Sequence, residues 1–334
     1  MNRVNTNRYS FIPLFNLFKY KNNEISLVRL LQKIGLPTGG ILLFLFFWSV
    51  AAQNIDTSLG KFPGPTEVFN QANSLVAEHQ AERLRETEFY QRQQQRNADK
   101  LAKDPYADIK TRPYTGSPTY FDQILTSMIT VLSGFILASA IAIPLGVIIG
   151  LSKTINAALA PVIQIFKPVS PLAWLPLVTM VVSAVYVTDD PLFAKSFLNS
   201  MFTVTLCSLW PTLINTSVGV ANVNSDLINV SKVLRLSWLT HTRKIVLPSS
   251  IPMIFTGLRL SLSIAWMVLI AAEMLAQNPG LGKFVWDEFQ NGSSNSLGRI
   301  MVAVLTIGFI GFLLDRIMLM IQQRVNWDRH ADIR

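Results

Sequence analysis

The side chains that could do chemistry in this sequence are few and scattered. His79, His241 and His330 are far apart along the chain, and Cys207 is the single cysteine. They supply neither the paired ligands of a zinc enzyme nor a disulfide, and each is expected to be an ordinary polar or buried side chain. The segment 150–154 reads GLSKT, which lacks the glycine before lysine that a phosphate-binding loop needs. The sequence therefore predicts no catalytic centre, no metal site and no cofactor bound by this chain.

Recognition of a partner is the chemistry that one short segment favours. Residues Asn229–Pro248 read NVSKVLRLSWLTHTRKIVLP, in which apolar side chains form a stripe beside lysine and arginine. Ser225 and Asp226 can cap a helix start, and Ser237 can begin a second short helix that the prolines end. Two such helices suit either a groove on another protein or the headgroup layer of a membrane. The residue pattern alone leaves both alternatives open.

Charged residues inside apolar stretches are costly and therefore informative. Arg259 and Asp315 fall at similar depths, so a structural ion pair is expected, with a cationic lining for an anion as the alternative. Glu273 is expected near the outer end of its stretch, either as part of a gate or paired with Lys283. Each of these groups should face the interior of a bundle or a water-filled path.

Lys167 precedes Pro168 and Pro171, which should break a helix at membrane depth. A break frees backbone groups that lipid does not tolerate but a cavity does. The segment 167–174 is thus the main candidate for a transport path, with snorkelling of Lys167 to the membrane surface as the competing interpretation. The candidate path residues are Lys167, Pro168, Ser170, Pro171, Trp174, Arg259 and Glu273.

Membrane helices must position these residues. Of 334 residues, 50% are hydrophobic and only 15% are charged, against about a quarter charged in a soluble domain. A helix needs about 20 apolar residues to cross a bilayer, and six stretches qualify: 34–52, 122–151, 157–187, 196–221, 252–276 and 299–322. The net charge of +9 comes with no nucleic-acid-binding signature, so membrane lipid is the expected contact and nucleic acid is not. The expected fold is an all-α membrane protein.

Lysine and arginine in the short connections favour a cytoplasmic N-terminus and C-terminus. This orientation makes 1–33 and 324–334 cytoplasmic, 34–52 the first transmembrane helix, 53–118 a periplasmic segment and 119–323 a core of five helices. Within the periplasmic segment, Val76–Lys103 lacks glycine and proline and predicts a polar helix or a helical hairpin arm. It is either a solvated insertion or a docking surface for an external partner.

Several stretches carry a family resemblance. Residues Ile245–Pro248 match the Ile-x-Leu-Pro end of the cytoplasmic loop signature of ABC-importer permeases. The start of that signature departs, because Asn229-Val230-Ser231 replaces Glu-Ala-Ala and Arg235 replaces glycine. Further stretches add to the resemblance: FPGPTEVF (62–69), FKPVSPLAWLPL (166–177), WPTLINTSVGV (210–220) and LPSSIPMIFTGLRLSLSIAWMVLIAAEML (247–275). The sequence resembles permeases of the nitrate, sulfonate, taurine and bicarbonate importers, and most closely the nitrate/bicarbonate branch, over about 115–322.

The resemblance implies a six-span type I ABC importer permease of the bacterial inner membrane. It implies a second permease chain as a homodimer partner, two ABC ATPases that carry ATP and Mg²⁺, and a periplasmic or lipid-anchored substrate-binding protein. Residues 225–246 would form coupling helices, in which Lys232, Arg235 and Arg243 steer the ATPase into register. The residues assigned to coupling are Asn229, Val230, Ser231, Val233, Leu234, Arg235, Leu236, Trp238, Ile245, Leu247 and Pro248.

Nitrate or nitrite is the first cargo that the resemblance suggests, and bicarbonate, cyanate and sulfonates follow. Two other classes are weighed against this function. A secondary transporter would need mid-membrane carboxylates for a coupling ion and an internal repeat, and the sequence shows neither. A membrane-anchored receptor or scaffold would use the segment 70–112 as its working surface.

Overall fold

The computed structural model describes residues 34–325, except 58–59, 105, 107, 110, 189–190 and 294. The predicted segment 1–33, His330 and most of the tail 324–334 lie outside the described residues. The chain divides into two compact units, 1–56 and 57–334. In the first unit, helix α1 (Leu36–Asn54) lies over the stretch expected to be the first span and contains no charged residue.

The remaining elements follow in the order β1 (Asp56–Thr57), β2 (Gly60–Lys61), α2 (Pro65–Lys103), α3 (Tyr120–Leu151), α4 (Lys153–Phe166), α5 (Pro171–Val185), α6 (Lys195–Ala221), α7 (Ser225–Val233), α8 (Trp238–His241), α9 (Leu247–Ala276), α10 (Leu281–Asn291) and α11 (Ser296–Val325). A π-helical turn, Thr242–Val246, joins α8 to α9. The expectation of an all-α membrane protein is confirmed, with two very short strands as the only extended elements in the described part.

Among the described residues, five helices are long and apolar enough to cross a membrane, and a sixth span results if the bent pair α4–α5 is one span. The two helices of this pair meet at 100°. Pro171 begins α5, where its missing N–H costs nothing, and the Ser170 hydroxyl caps the new helix by accepting from Leu172 N at 3.3 Å. The predicted break between Lys167 and Pro171 is thus confirmed.

Helices α3 and α6 pack closely through two glycines. A Cβ added to Gly146 would lie 2.7 Å from Thr216 Cβ, and one added to Gly150 would lie 2.6 Å from Ser217 O. The small-residue pattern Gly146-x-x-x-Gly150 predicts this close approach, because small residues let the backbones of two membrane helices pack against each other. These two helices form the centre of the bundle together with α9.

A second small-residue pattern, Gly308-x-x-Gly311 on α11, also predicts close helix contact and gives a mixed result. Gly311 lies under the indole of Trp266, where an added Cβ would be 3.0 Å from Cδ1. Gly308 has open space around it, so the close contact expected there does not form among the described residues. Trp266 is held in place because its indole N–H donates to Ile307 O at 3.0 Å.

Helix α2 is one continuous helix of 39 residues, roughly 60 Å long. It confirms the polar helix expected over Val76–Lys103, begins earlier at Pro65, and rules out the hairpin alternative. Residues 112–114 lie alongside α2. The Tyr114 hydroxyl donates to Glu82 at 2.8 Å, and this bond raises the pKa of Tyr114. The side-chain amide of Gln93 bonds both the N–H and the C=O of Arg112.

The bundle of the second unit has two distinct ends. At one end, α2 contacts the starts of α3 and α11: Arg299 pairs with Glu78 and also lies 3.1 Å from Glu288, while His79 bonds Thr119 at 2.7 Å. At the other end, the turn after α8 packs on α3 and α6 through a cluster of valines, Val147, Val220, Val223 and Val246. The loop α7–α8 and the arm α2 therefore lie at opposite ends.

Candidate functional site

The loop between α6 and α9 folds into the two short helices that its sequence predicts. The start of α7 is capped by Asn224, whose side-chain oxygen accepts from Asp226 N at 2.9 Å, rather than by the expected Ser225-Asp226 pair. Ser237 caps α8 as predicted and accepts from Thr240 N at 3.4 Å. The caps satisfy backbone N–H groups that a short helix cannot satisfy internally.

A hydrogen bond across the loop fixes α7 against α8. Ser231 is buried, and its hydroxyl bonds His241 Nδ1 at 2.8 Å, while Leu236 N donates to Ser231 O at 3.1 Å. Ser231 therefore positions the loop from within, and its role in coupling stays a prediction. His241, expected to be an isolated polar side chain, is the residue that the sequence missed, because ten positions and a turn separate the two partners.

Large apolar side chains cover the outer face of the loop. Val233 is 82% exposed, Leu234 62% and Trp238 63%. We call this set the coupling surface: Val230, Val233, Leu234, Trp238 and Leu239. Of the other predicted coupling residues, Asn229, Arg235 and Pro248 are exposed, whereas Leu236, Ile245 and Leu247 are half-buried. A compact apolar patch of this kind on a short helical loop is typical of a docking site.

Arg235 adopts a left-handed backbone conformation, with φ of +47°. This is the position at which the permease signature has glycine, and glycine is the residue that adopts such a conformation without steric cost. The turn geometry is thus kept here although the glycine is absent. The left-handed conformation results from the tight reversal of the chain after α7, where Arg235 N donates to Lys232 O at 3.1 Å.

Replacing Arg235 with glycine is expected to stabilise the loop by about 1 kcal/mol, because the left-handed conformation costs an L-residue roughly that amount. Thermal unfolding of the purified protein measures the difference. Arg235→Ala provides the control, since it removes the charge and keeps the backbone strain. A gain of equal size in both variants would show that charge, and not backbone conformation, sets the effect.

The bend between α4 and α5 exposes the first group of candidate path residues. Lys167, Pro168 and Ser170 are exposed at the bend, and Trp174 is half-buried. The ring of Phe166 stacks on Trp174, with centroids 5.8 Å apart. The bend thus places an exposed lysine, Lys167, beside the stacked aromatic rings of Phe166 and Trp174.

Arg259 and Asp315 form the ion pair that their depths predict. Arg259 Nε lies 2.6 Å from Asp315 Oδ1, and Nη2 lies 3.0 Å from Oδ2. The side chains remain 29% and 28% exposed. A pocket of about 170 Å³ beside the pair is lined by Arg259, Leu262, Ser263, Trp266, Gly311, Leu314 and Asp315. The structural pair is therefore confirmed, and it also borders open space.

Glu273 is fully buried and does not pair with Lys283. Its carboxylate accepts from Ser127 Oγ at 2.8 and 2.9 Å and from Gly282 N at 3.0 Å, while Lys283 pairs with Asp287 instead. The expected local pair with Lys283 is wrong, because the turn after α9 points its backbone N–H at the carboxylate. Glu273 holds α3, α9 and α10 together from a fully buried position.

The structure does not bring all the predicted path residues into one site. The pocket beside Arg259 includes neither the bend 167–174 nor Glu273. Within the described residues, no cluster of three or more histidine, cysteine, aspartate or glutamate side chains could hold a metal ion. The structure thus has an exposed apolar loop at one end of the bundle and an ion pair that borders a pocket.

A bundle of apolar spans with an exposed helical loop at one end is typical of a membrane permease subunit. Residues 142–327 match the family described as the binding-protein-dependent transport system inner membrane component, and the chain belongs to this family. It is an ABC importer permease of the nitrate/bicarbonate branch. Such a permease works with ATPase and substrate-binding partners.

Characterised relatives agree with this assignment. The chain is 33% identical to the bicarbonate transport system permease protein CmpB of Synechococcus elongatus, over 88% of this chain and 90% of the relative. It is 36% identical to the nitrate import permease protein NrtB of the same species, over 59% of this chain and 66% of the relative. A chain of the methionine ABC transporter MetNI, in inward-facing conformations, superposes with a TM-score of 0.53 over 62% of this chain and 96% of that chain, at 13% identity. That likeness supports the permease fold.

Proposed function

We propose that the protein imports a small inorganic anion, with nitrate or nitrite as the first cargo and bicarbonate as the second. Similarity to permeases named for nitrate and for bicarbonate is the observation that carries this proposal. An arginine at membrane depth beside a pocket supports an anionic cargo, because a cation there attracts anions into a path. Cyanate and sulfonates remain the further alternatives.

We infer that the coupling surface docks on a cytoplasmic ATPase. Val233, Leu234 and Trp238 would fill an apolar groove on it, while Lys232 and Arg243 lie exposed at the edges and orient the encounter. ATP and Mg²⁺ would bind the ATPases. The Ser231–His241 bond holds the two short helices together, and the valine cluster ties the loop to α3 and α6. A movement of the ATPase would therefore reach the spans as a rigid displacement.

The orientation follows from this docking. With the coupling surface in the cytoplasm, α2 stands outside and both termini are cytoplasmic, in the bacterial inner membrane. Two copies of the chain would enclose the path, and the bend at 167–174 together with Arg259 would line it. The path alternates between inward- and outward-facing states, which requires that the ATPase contacts differ between those states.

Reconstitution of the permease with its ATPases and its substrate-binding protein tests the cargo. We expect nitrate or nitrite to stimulate ATP hydrolysis at lower concentration than bicarbonate, cyanate or taurine. If bicarbonate stimulates ATP hydrolysis at a lower concentration than the other anions do, bicarbonate replaces nitrate as the proposed cargo. Stimulation by taurine alone would refute the proposal that the cargo is a small inorganic anion.

A further inference from the structure

We propose that Arg259 and Asp315 form a weak binding site for a planar monovalent oxyanion within the transport path. Arg259 binds the anion, and Asp315 keeps that binding weak. The inference rests on the proposed import function and assigns its cargo to a particular pair of residues.

The geometry of the pair leaves one edge of the guanidinium available. Asp315 engages Nε and Nη2, which uses two of the five N–H groups that arginine carries. The described part of the structure records no other bond to the Arg259 side chain, so the edge formed by Nη1 and Nη2 is open. A planar oxyanion presents two oxygens side by side, as a carboxylate does, and matches this edge with two parallel hydrogen bonds.

The position of the pair restricts what can face it. Arg259 lies about 18 Å along α9 from Leu247, and Asp315 about 15 Å along α11 from Val325, at ~1.5 Å per residue. Both side chains keep more than a quarter of their surface exposed on the isolated chain. Charged groups open to hydrocarbon at this depth are strongly unfavourable, so this face of α9 and α11 must meet protein or a water-filled path. The adjoining pocket favours the path.

The pocket has the size and lining of a small anion site. Its volume of about 170 Å³ is large enough for a small anion together with a few waters. Arg259 and Asp315 are its charged residues, and Ser263 contributes a hydroxyl. Trp266 forms a wall that is fixed by its bond to Ile307, and Gly311 leaves room for that indole. An anion can therefore lie against Arg259 and retain part of its water.

Asp315 has a distinct role beside such an anion. It neutralises Arg259 when the site is empty, which makes the arginine tolerable at this depth. When an anion binds, the nearby carboxylate repels it. A transport site must release its cargo, so binding has to be weak enough for the anion to leave. The repulsion from the Asp315 carboxylate keeps the binding of the anion to Arg259 weak.

The test uses the complete transporter in vesicles preloaded with nitrate. The initial uptake of isotope-labelled nitrate is measured, and the internal nitrate concentration that halves the rate reports binding to the path. Asp315→Asn is expected to lower this concentration about tenfold, because a neutral amide no longer repels the anion. Lys283→Gln removes a charge outside the pocket and serves as the control, with an unchanged value.

A doubly neutral variant separates an anion site from a purely structural pair. R259Q/D315N leaves no unpaired charge and keeps a hydrogen bond between the two side chains, so the fold is expected to persist. The internal nitrate concentration for half inhibition should then rise at least tenfold. A doubly neutral variant with the wild-type value would overturn the proposal, and so would an unchanged value in Asp315→Asn.

The failure of this inference can be told apart from a failure of the proposed function. If the wild-type transporter imports bicarbonate and not nitrate, the cargo assignment is replaced, and the same variants with internal bicarbonate decide the role of the pair. If the wild-type transporter imports neither anion, both the proposed function and this site are refuted.

Discussion

Replacing Leu234 with aspartate is expected to leave the protein inserted in the membrane and to abolish transport. Leu234 is 62% exposed on the coupling surface, so the fold loses little when it is replaced. On a docked ATPase, however, the new carboxylate would be buried in an apolar groove without a partner. At a cost of about 3 kcal/mol, association would weaken roughly 100-fold.

Co-purification of the ATPases and uptake by intact cells measure this effect. Leu84→Asp is the matched control, because Leu84 is 60% exposed and lies on α2 at the opposite end of the bundle. The control variant should retain ATPase binding and uptake. Wild-type uptake by the Leu234 variant, or an equal loss in the Leu84 variant, would contradict the assignment of the coupling surface.

The elements that depend on local pattern were predictable. Bilayer thickness fixes how many apolar residues a span needs, so α3, α6, α9 and α11 lie close to the stretches chosen by hydropathy. The ends of a predicted span also determine how deep each of its residues lies in the membrane. The Arg259–Asp315 pair, 56 positions apart, could therefore be predicted from the similar depths of the two residues. The prolines at the bend and the cap at Ser237 act within a few residues, and both were placed correctly.

The elements that depend on how helices rotate against one another were not predictable. Ser127 and Glu273 are 146 positions apart, and only the packing of α3 on α9 shows that they bond. Helix α10 lies between the predicted spans 252–276 and 299–322, where no helix was predicted, and its 11 residues mix charged and apolar side chains. Arg299 likewise joins α11 to α2 through Glu78, a partner 221 positions away. Sequence spacing contains no information about such long-range pairs.

Glu273 lies at the end of the bundle opposite the coupling surface, and its replacement is expected to have the largest effect on the stability of the fold. Its carboxylate satisfies the Ser127 hydroxyl and the backbone N–H of Gly282, and Ser127 in turn accepts from Leu281 N at 2.8 Å. The carboxylate thus ties α3 to the turn where α10 begins. Gly280 lies so close that an added Cβ would be 2.1 Å from Glu273 Oε1, which shows how tightly the turn encloses the carboxylate.

Replacing Glu273 with alanine is therefore expected to destabilise the protein by about 3 kcal/mol, since it leaves buried donors unsatisfied and opens a cavity. Glu273→Gln keeps one acceptor oxygen in nearly the same volume and should lose less than half as much. Thermal unfolding of the purified permease measures both variants, and Lys283→Gln, next to the same turn, controls for a change of charge alone. Equal losses in the alanine and glutamine variants would show that the negative charge, and not the hydrogen bonding of the turn, holds α10 in place; an unchanged alanine variant would remove Glu273 from that role.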